Sequence, residues 1–232
     1  MKFLVSMSEL TKDYNGKVRA LDQVSLEVRQ GEWVAVMGAS GSGKTTLLNM
    51  IAALDRPTSG SLWVDEIDLL SLGEEERARF RREKVGLIFQ QFHLIPYLTA
   101  LENVMLAQYF HSMTDKGEAA EALRQVGLGE RIDFLPSELS GGEQQRVCIA
   151  RALVNGQKII LADEPTGNLD SKNEDLVMEI FNDLHQAGHT LLFVTHDPHI
   201  GRQADRIIEM EHGRIVSPVP AQIQKAGNIS RQ

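Results

Sequence analysis

Gly38-Ala39-Ser40-Gly41-Ser42-Gly43-Lys44-Thr45-Thr46 is the stretch on which the reading of this chain turns. It fits G-x-x-x-x-G-K-[ST], a loop that holds phosphate groups. An apolar run, Trp33-Val34-Ala35-Val36-Met37, leads into it. Leu47, Leu48, Met50, Ile51 and Leu54 follow at helical spacing. Strand, glycine-rich turn and helix are the context such a loop needs. Glycines let successive backbone N–H groups turn inward as an anion nest. The helix starting near Gly43 adds the positive end of its dipole. Lys44 brings a point charge to the β- and γ-phosphates, and the Thr45 hydroxyl is a ligand for Mg²⁺. A chance match in a chain of this length has odds of roughly one in a hundred, and the flanks lower them further. The stretch predicts a nucleotide site.

The remaining composition narrows the class. The chain has 232 residues, of which 42% are hydrophobic and 24% charged, as expected of one large domain or a core with a subdomain. Its net charge of −8 argues against a general nucleic-acid binder, and any phosphate site must make its positive field locally. Cys148 is the one cysteine, so there is no disulfide framework and a reducing compartment is expected. No run approaches the roughly 18–20 apolar residues of a membrane span. The apolar patch within residues 1–7 is too short for a signal peptide. A cytoplasmic protein follows, with any membrane role through a partner.

Residues 2–7 and 18–29 read as antiparallel strands around an Asn15-Gly16 turn. Residues 61–65 resume a short strand, and 73–84 form a charged, solvated helix with pairs such as Glu75–Arg79. Three all-apolar strands follow, at 85–89, 159–162 and 191–195, separated by helices over 99–126, from 140 onward and over 171–187. Gly127 is a helix stop, and 207–216 is a closing hairpin. Buried strands alternating with helices predict an α/β fold with a mainly parallel sheet covered on both faces. The helix-rich stretch 92–150 reads as an insertion, and 217–232 as a polar tail.

The apolar strands end in polar residues: Gln90, Asp163-Glu164 and His196. Ligands of open α/β sheets sit at the carboxyl ends of strands, so these residues and the phosphate loop can converge on one nucleotide. Asp163 fits the acid that holds Mg²⁺ with Thr45, and Glu164 is free to orient water for in-line attack. His196 can donate a hydrogen bond to the γ-phosphate or hold the water. Ser140-Gly141-Gly142-Glu143 fits a helix capping box. Two glycines in that first turn cost helix propensity, but they leave the helix N-terminus open to an anion.

Taken with Leu139-Ser140-Gly141-Gly142-Glu143-Gln144, these residues resemble the ATP-binding-cassette (ABC) ATPases over residues 1–216. The resemblance implies a RecA-like core with an N-terminal antiparallel β subdomain and a helical subdomain. It makes Tyr14 the aromatic that stacks on adenine, and Asn168-Leu169-Asp170 a loop linking two sites. From the residue alone, Tyr14 is an ordinary half-buried turn tyrosine. The family's mechanism implies a homodimer closing over two ATP molecules. Gly38–Thr46 of one copy then faces Ser140, Gly141 and Gly142 of the other. Glu164 positions the water, and Gln90 senses Mg²⁺ and the γ-phosphate. Glu143 departs from the glutamine found in many members.

The wording of residues 38–48, 88–94 and 162–170 is similar to the branch serving lipoprotein release, macrolide or haem efflux, and cell division. That likeness implies an ATPase at the cytoplasmic face of the cell membrane, driving a separate transmembrane permease by mechanical coupling. Phe92, Leu94, Ile95 and Tyr97 are either contacts for that permease or packing within the helical insertion. A soluble cassette acting in translation or DNA repair is a second reading, disfavoured because such relatives usually carry two cassettes or a long coiled coil. A phosphate-loop kinase is a third, and it has no use for the Leu-Ser-Gly-Gly element.

Overall fold

A computed structural model describes residues 3–220. The chain runs β1 (Phe3–Tyr14), β2 (Val18–Arg29), β3 (Trp33–Met37), α1 (Lys44–Ile51), β4 (Ser59–Val64), β5 (Ile67–Asp68), α2 (Glu74–Lys84) and β6 (Val85–Ile88). It continues through α3 (Ala100–His111), α4 (Lys116–Gln125), α5 (Gly141–Leu153), β7 (Ile159–Asp163), α6 (Ser171–Gln186), β8 (Thr190–Thr195), α7 (Pro198–Gly201), β9 (Arg206–Glu211) and β10 (Arg214–Pro220). These elements fall into two units. One is built from the chain up to Ala78 and from Gly188 onward, the other from Arg79–Ala187.

In the first unit, β2-β1-β4-β5 form an antiparallel sheet. Asn15 and Gly16 both take positive φ, 54° and 64°, as a tight hairpin turn requires. β1 reaches Tyr14, well past the predicted strand over 2–7. Register shifts between Met7 and Leu10 and between Leu10 and Lys12 break the simple alternation that marks a strand in sequence. Glu9 and Gln23 absorb those shifts at φ 49° and 53°. The same unit carries β10-β9-β3-β8, with β3 parallel to both β8 and β9. Trp33–Val36 and Leu191–Val194 are buried throughout, which is why these strands read as unbroken apolar runs. In the β3–β8 register Met37 lies opposite Thr195, so the loops that follow the two strands start side by side.

The charged run beginning at Gly73 forms a helix as expected, but it is not solvated throughout. Arg77 is buried and donates from Nη2 to the Ala53 carbonyl at 2.7 Å. Its other nitrogen pairs with Glu74 at 3.2 Å. At the end of the chain, β10 extends past residue 216 as far as Pro220. The rest of the predicted tail lies outside the described residues.

The second unit holds the parallel pair β6–β7 and helices α3 to α6. The predicted stop at Gly127 takes φ 73° after α4. Thr99, not singled out in the sequence, caps α3 in a reciprocal box with Glu102. Asn103, fully buried, shapes the loop before α3. Its Oδ1 accepts from Ile95 N at 2.8 Å, and its Nδ2 donates to the carbonyls of Ile95, Leu98 and Thr99 at 3.2, 3.0 and 3.0 Å. A loop without regular structure thus satisfies its backbone through one side chain.

Candidate active site

The phosphate loop occupies the turn between β3 and α1. Gly43 caps α1 at φ 103°, a region closed to most side chains, and a Cβ there would come within 2.3 Å of the Ala20 carbonyl. Gly38 is hemmed in likewise, with the Met210 carbonyl 2.2 Å from where a Cβ would sit. The hairpin after β9 also braces the loop, because Gly213 N donates to Ser42 O at 2.9 Å. Lys44 is buried and folds back on its own loop, with Nζ donating to Gly38 O at 2.8 Å and Ala39 O at 3.1 Å. Ser42 Oγ is buried without a hydrogen-bond partner among the described residues. A buried ammonium on carbonyls and an unsatisfied hydroxyl form a polar wall suited to an anion. Thr45 is exposed, and Thr46 half-buried, in the first turn of α1.

His196 follows β8 directly and lines an open cleft of about 690 Å³ with Gly38–Ser42, Glu209, Glu211 and His212. Tyr14 is 39% exposed at the end of β1 and donates from its hydroxyl to Asp55 Oδ2 at 2.9 Å. Burial first and Asp55 second push its phenol up, while a hydrogen bond with Thr46 pulls it down. The first unit therefore brings the loop, His196 and Tyr14 together. A second cavity, about 510 Å³ between α3, α4 and the end of α5, contains none of the predicted residues.

In the second unit, β6 and β7 run parallel with Ile88 opposite Ala162, which sets Gln90 and Asp163-Glu164 at the same end. Glu164 takes φ 48°, the left-handed region, at a cost on the order of 1 kcal/mol for a residue with a side chain. The turn that imposes this is closed by Gly167 N donating to Glu164 O at 3.1 Å. It is pinned to α5 by Gln145 Nε2 donating to Pro165 O at 2.7 Å. Asn168 Nδ2 donates to Gln90 O at 2.8 Å, and the Gln90 amide lies 3.1 Å from a Cβ position on Gly167. Gln90 and the segment after Glu164 thus form one bonded group.

Ser140 and Glu143 make the predicted capping box. Glu143 N donates to Ser140 Oγ at 3.3 Å, and Ser140 N donates to Glu143 Oε2 at 2.8 Å. That backbone N–H, ahead of the nearby Arg131 and Arg146, holds the Glu143 carboxyl below its usual range. Glutamate at 143 therefore has a local structural role. Ser140 is exposed, Gly141 half-buried and Gly142 buried. Asn173 sits against Gly142, its Oδ1 2.2 Å and its own Cβ 2.6 Å from where a Cβ would be. Asp170 caps α6 and holds Asn173 twice, with Asn173 N and Nδ2 each donating to its carboxylate at 2.9 Å. These N–H groups, the backbone one first, lower the Asp170 carboxyl.

The supporting residues Gln145 and Asn173 were missed in the sequence, as was Arg151, which donates to Phe92 O and His93 O at 3.0 and 2.8 Å. Gln145 bonds Pro165, 20 positions away, and Asn173 packs on Gly142 in another helix, so short-range patterns carry no trace of these contacts. The loop residues named as permease contacts divide: Tyr97 is 78% exposed, while Phe92, Leu94 and Ile95 are half-buried. The Phe92 ring comes within 3.8 Å of a Cβ position on Gly141.

Comparison with known proteins identifies the family. The family model for the ABC transporter matches residues 21–167. An uncharacterized ABC transporter ATP-binding protein of Bacillus subtilis, YvrO, is 45% identical over 98% of this chain and 99% of its own length. The macrolide export ATP-binding/permease protein MacB of Salmonella paratyphi A is 46% identical over 97% of this chain, which spans 36% of that longer protein. The dimeric structure of a post-hydrolysis state of the cassette MJ0796, bound to ADP and Pi, superposes with a TM-score of 0.87 at 42% identity. It covers 94% of this chain and 98% of its own. The chain therefore belongs to the ABC transporter family, as an ATP-binding and ATP-hydrolysing cassette.

Proposed function

We propose that two copies of this chain close over ATP and Mg²⁺ and drive a separate transmembrane permease from the cytoplasmic face of the membrane. The observation that carries the reading is a pair of relatives. MacB is named for both ATP-binding and permease functions, whereas YvrO, matched end to end, is named for ATP binding alone. No helix among the described residues is long and apolar enough to cross a membrane, so this segment would act through another one. The dimeric form of the MJ0796 cassette supports pairing. The transporter names of these relatives favour transport over translation or repair. Efflux or mechanical extraction is the branch we favour, from the MacB likeness.

Lys44 leaves the Gly38 and Ala39 carbonyls and takes up the β- and γ-phosphates, and the α1 N-terminus adds its dipole. Glu164 orients a water and accepts its proton as the oxygen attacks the γ-phosphorus. The bond to the β,γ-bridging oxygen breaks, leaving ADP and phosphate. His196 hydrogen-bonds the γ-phosphate. Thr45, Gln90 and Asp163 are the hard oxygen donors that would hold Mg²⁺, which neutralises phosphate charge when bound. No cluster of three or more His, Cys, Asp or Glu suited to a metal exists among the described residues, so phosphate and water must supply the remaining ligands. Ser140, Gly141 and Gly142 meet the phosphates of the partner copy, and Asp170 links the two sites.

Lys44→Ala tests the phosphate grip. ATP binding measured by calorimetry should weaken by at least tenfold, with Mg²⁺-dependent hydrolysis lost. Undiminished affinity would refute the assignment.

A further inference from the structure

We propose that Lys12 and Asp55 are positioning residues that hold the Tyr14 ring at a fixed place and tilt, so that one of its faces is presented to the base of the nucleotide. The inference rests on the reading of Tyr14 as the residue that stacks on adenine and adds to it the parts that fix the ring.

Tyr14 ends a strand and is substantially exposed, so a bare tyrosine there would sample several rotamers. Its surroundings remove that freedom. The hydroxyl donates to Asp55 Oδ2 at 2.9 Å and also bonds Thr46. Lys12 Nζ lies 4.7 Å from the ring centroid, covering one face with a cation. The same ammonium donates to Asp55 Oδ1 at 2.7 Å and to Arg56 O at 2.7 Å. Asp55 therefore receives the phenol on one oxygen and the ammonium on the other. Burial pushes its carboxyl up, but Lys12, the Arg56 N–H and Tyr14 outweigh that and keep it below its usual value. Backbone ties reinforce the group. Thr58 N donates to Thr11 O at 2.7 Å, and Asp13 N donates to Thr58 Oγ1 at 2.9 Å.

The arrangement links the ring to α1 at two points. Thr46 is in the first turn of that helix, two residues after Lys44. Asp55 follows its far end, in a turn where Leu54 N donates to Asn49 O at 2.9 Å. The helix that opens the phosphate loop therefore also fixes the ring, and the spacing between triphosphate and base is set by one rigid element. With Lys12 on one face, stacking is left to the other. The Lys12–Asp55 pairing also keeps a bare carboxylate away from an anionic ligand.

The test uses the full chain and two probes, ATP and inorganic tripolyphosphate, the second having phosphates but no base. Dissociation constants are measured by calorimetry for the wild type and for Lys12→Met, Asp55→Asn and Tyr14→Ala. Each of the first two should weaken ATP binding about three- to tenfold and leave tripolyphosphate within about twofold. In a Tyr14→Ala background neither should weaken ATP further, because the ring they hold is gone. A purely structural role would move both probes together, and a Lys12 contact to phosphate would move tripolyphosphate too. Either result overturns the proposal, as does unchanged ATP binding in both variants while Tyr14→Ala weakens it. If Tyr14→Ala itself leaves ATP binding intact, the base-stacking reading falls, and this proposal falls with it.

Discussion

Two residues show how this chain prepares a side chain through its surroundings. Lys44 is held close to its loop by two carbonyls, in whose place a triphosphate can accept its hydrogen bonds. Glu164 is held in a left-handed conformation by the turn around it, which fixes the backbone from which its side chain starts. Cys148 shows the opposite case. It is 1% exposed, and burial lifts its thiol to about 11, against a smaller pull from Arg151. Its Sγ donates to Phe92 O at 3.0 Å. At pH 8 only about one thiol in a thousand would be ionised, and access is blocked as well. The folded protein should therefore not react with a disulfide reagent at pH 8, and one thiol should titrate after denaturation. Rapid labelling of the folded state would contradict this packing. The positions of the candidate residues at strand ends and in the loop were legible, because apolar runs and loop spacing announce them. Lys12 and Asp55 were not, since they are 43 positions apart and nothing local links a lysine in a strand to an aspartate beyond a helix.

Elements were legible wherever a local rule governs them. The Asn15-Gly16 turn, the Ser140–Glu143 box and the Gly127 stop each lie within a few residues of sequence. β1 was read short because register shifts disturb its alternation, and Arg77 was read as solvated because a charged run conceals one buried member. Gly142 carries a lesson at this scale. In the sequence its lack of a side chain suggested an open helix end for an anion. In the structure α6 also needs that space, because Asn173, held by Asp170, packs directly on it. Gly142→Ala should therefore destabilise the protein by about 1–3 kcal/mol through overpacking. Combining it with Asn173→Gly should cost less than the sum of the two single changes, since the second removes the obstructing Cβ. Urea unfolding of the four proteins measures this, and additive losses would contradict the contact.

At the scale of the molecule, the candidate site residues are divided between the two units. The first has the phosphate loop, Tyr14 and His196, and the second has Gln90, Asp163, Glu164 and the Ser140-Gly141-Gly142 helix end. A loop that binds phosphate predicts only binding; in the proposed function the acid for hydrolysis is Glu164, in the second unit. The proposed pairing of copies comes only from resemblance to a family, because no feature of one chain's packing records a partner. The central claim is that ATP, held but not hydrolysed, joins two copies. The direct measurement is the molar mass of Glu164→Gln in solution by light scattering, with and without ATP and Mg²⁺. The mass should be near that of one chain without nucleotide and twice that with ATP, while ATP turnover falls by at least about a hundredfold. A variant that binds ATP yet stays at the mass of one chain, or that hydrolyses ATP at the wild-type rate, would contradict the claim.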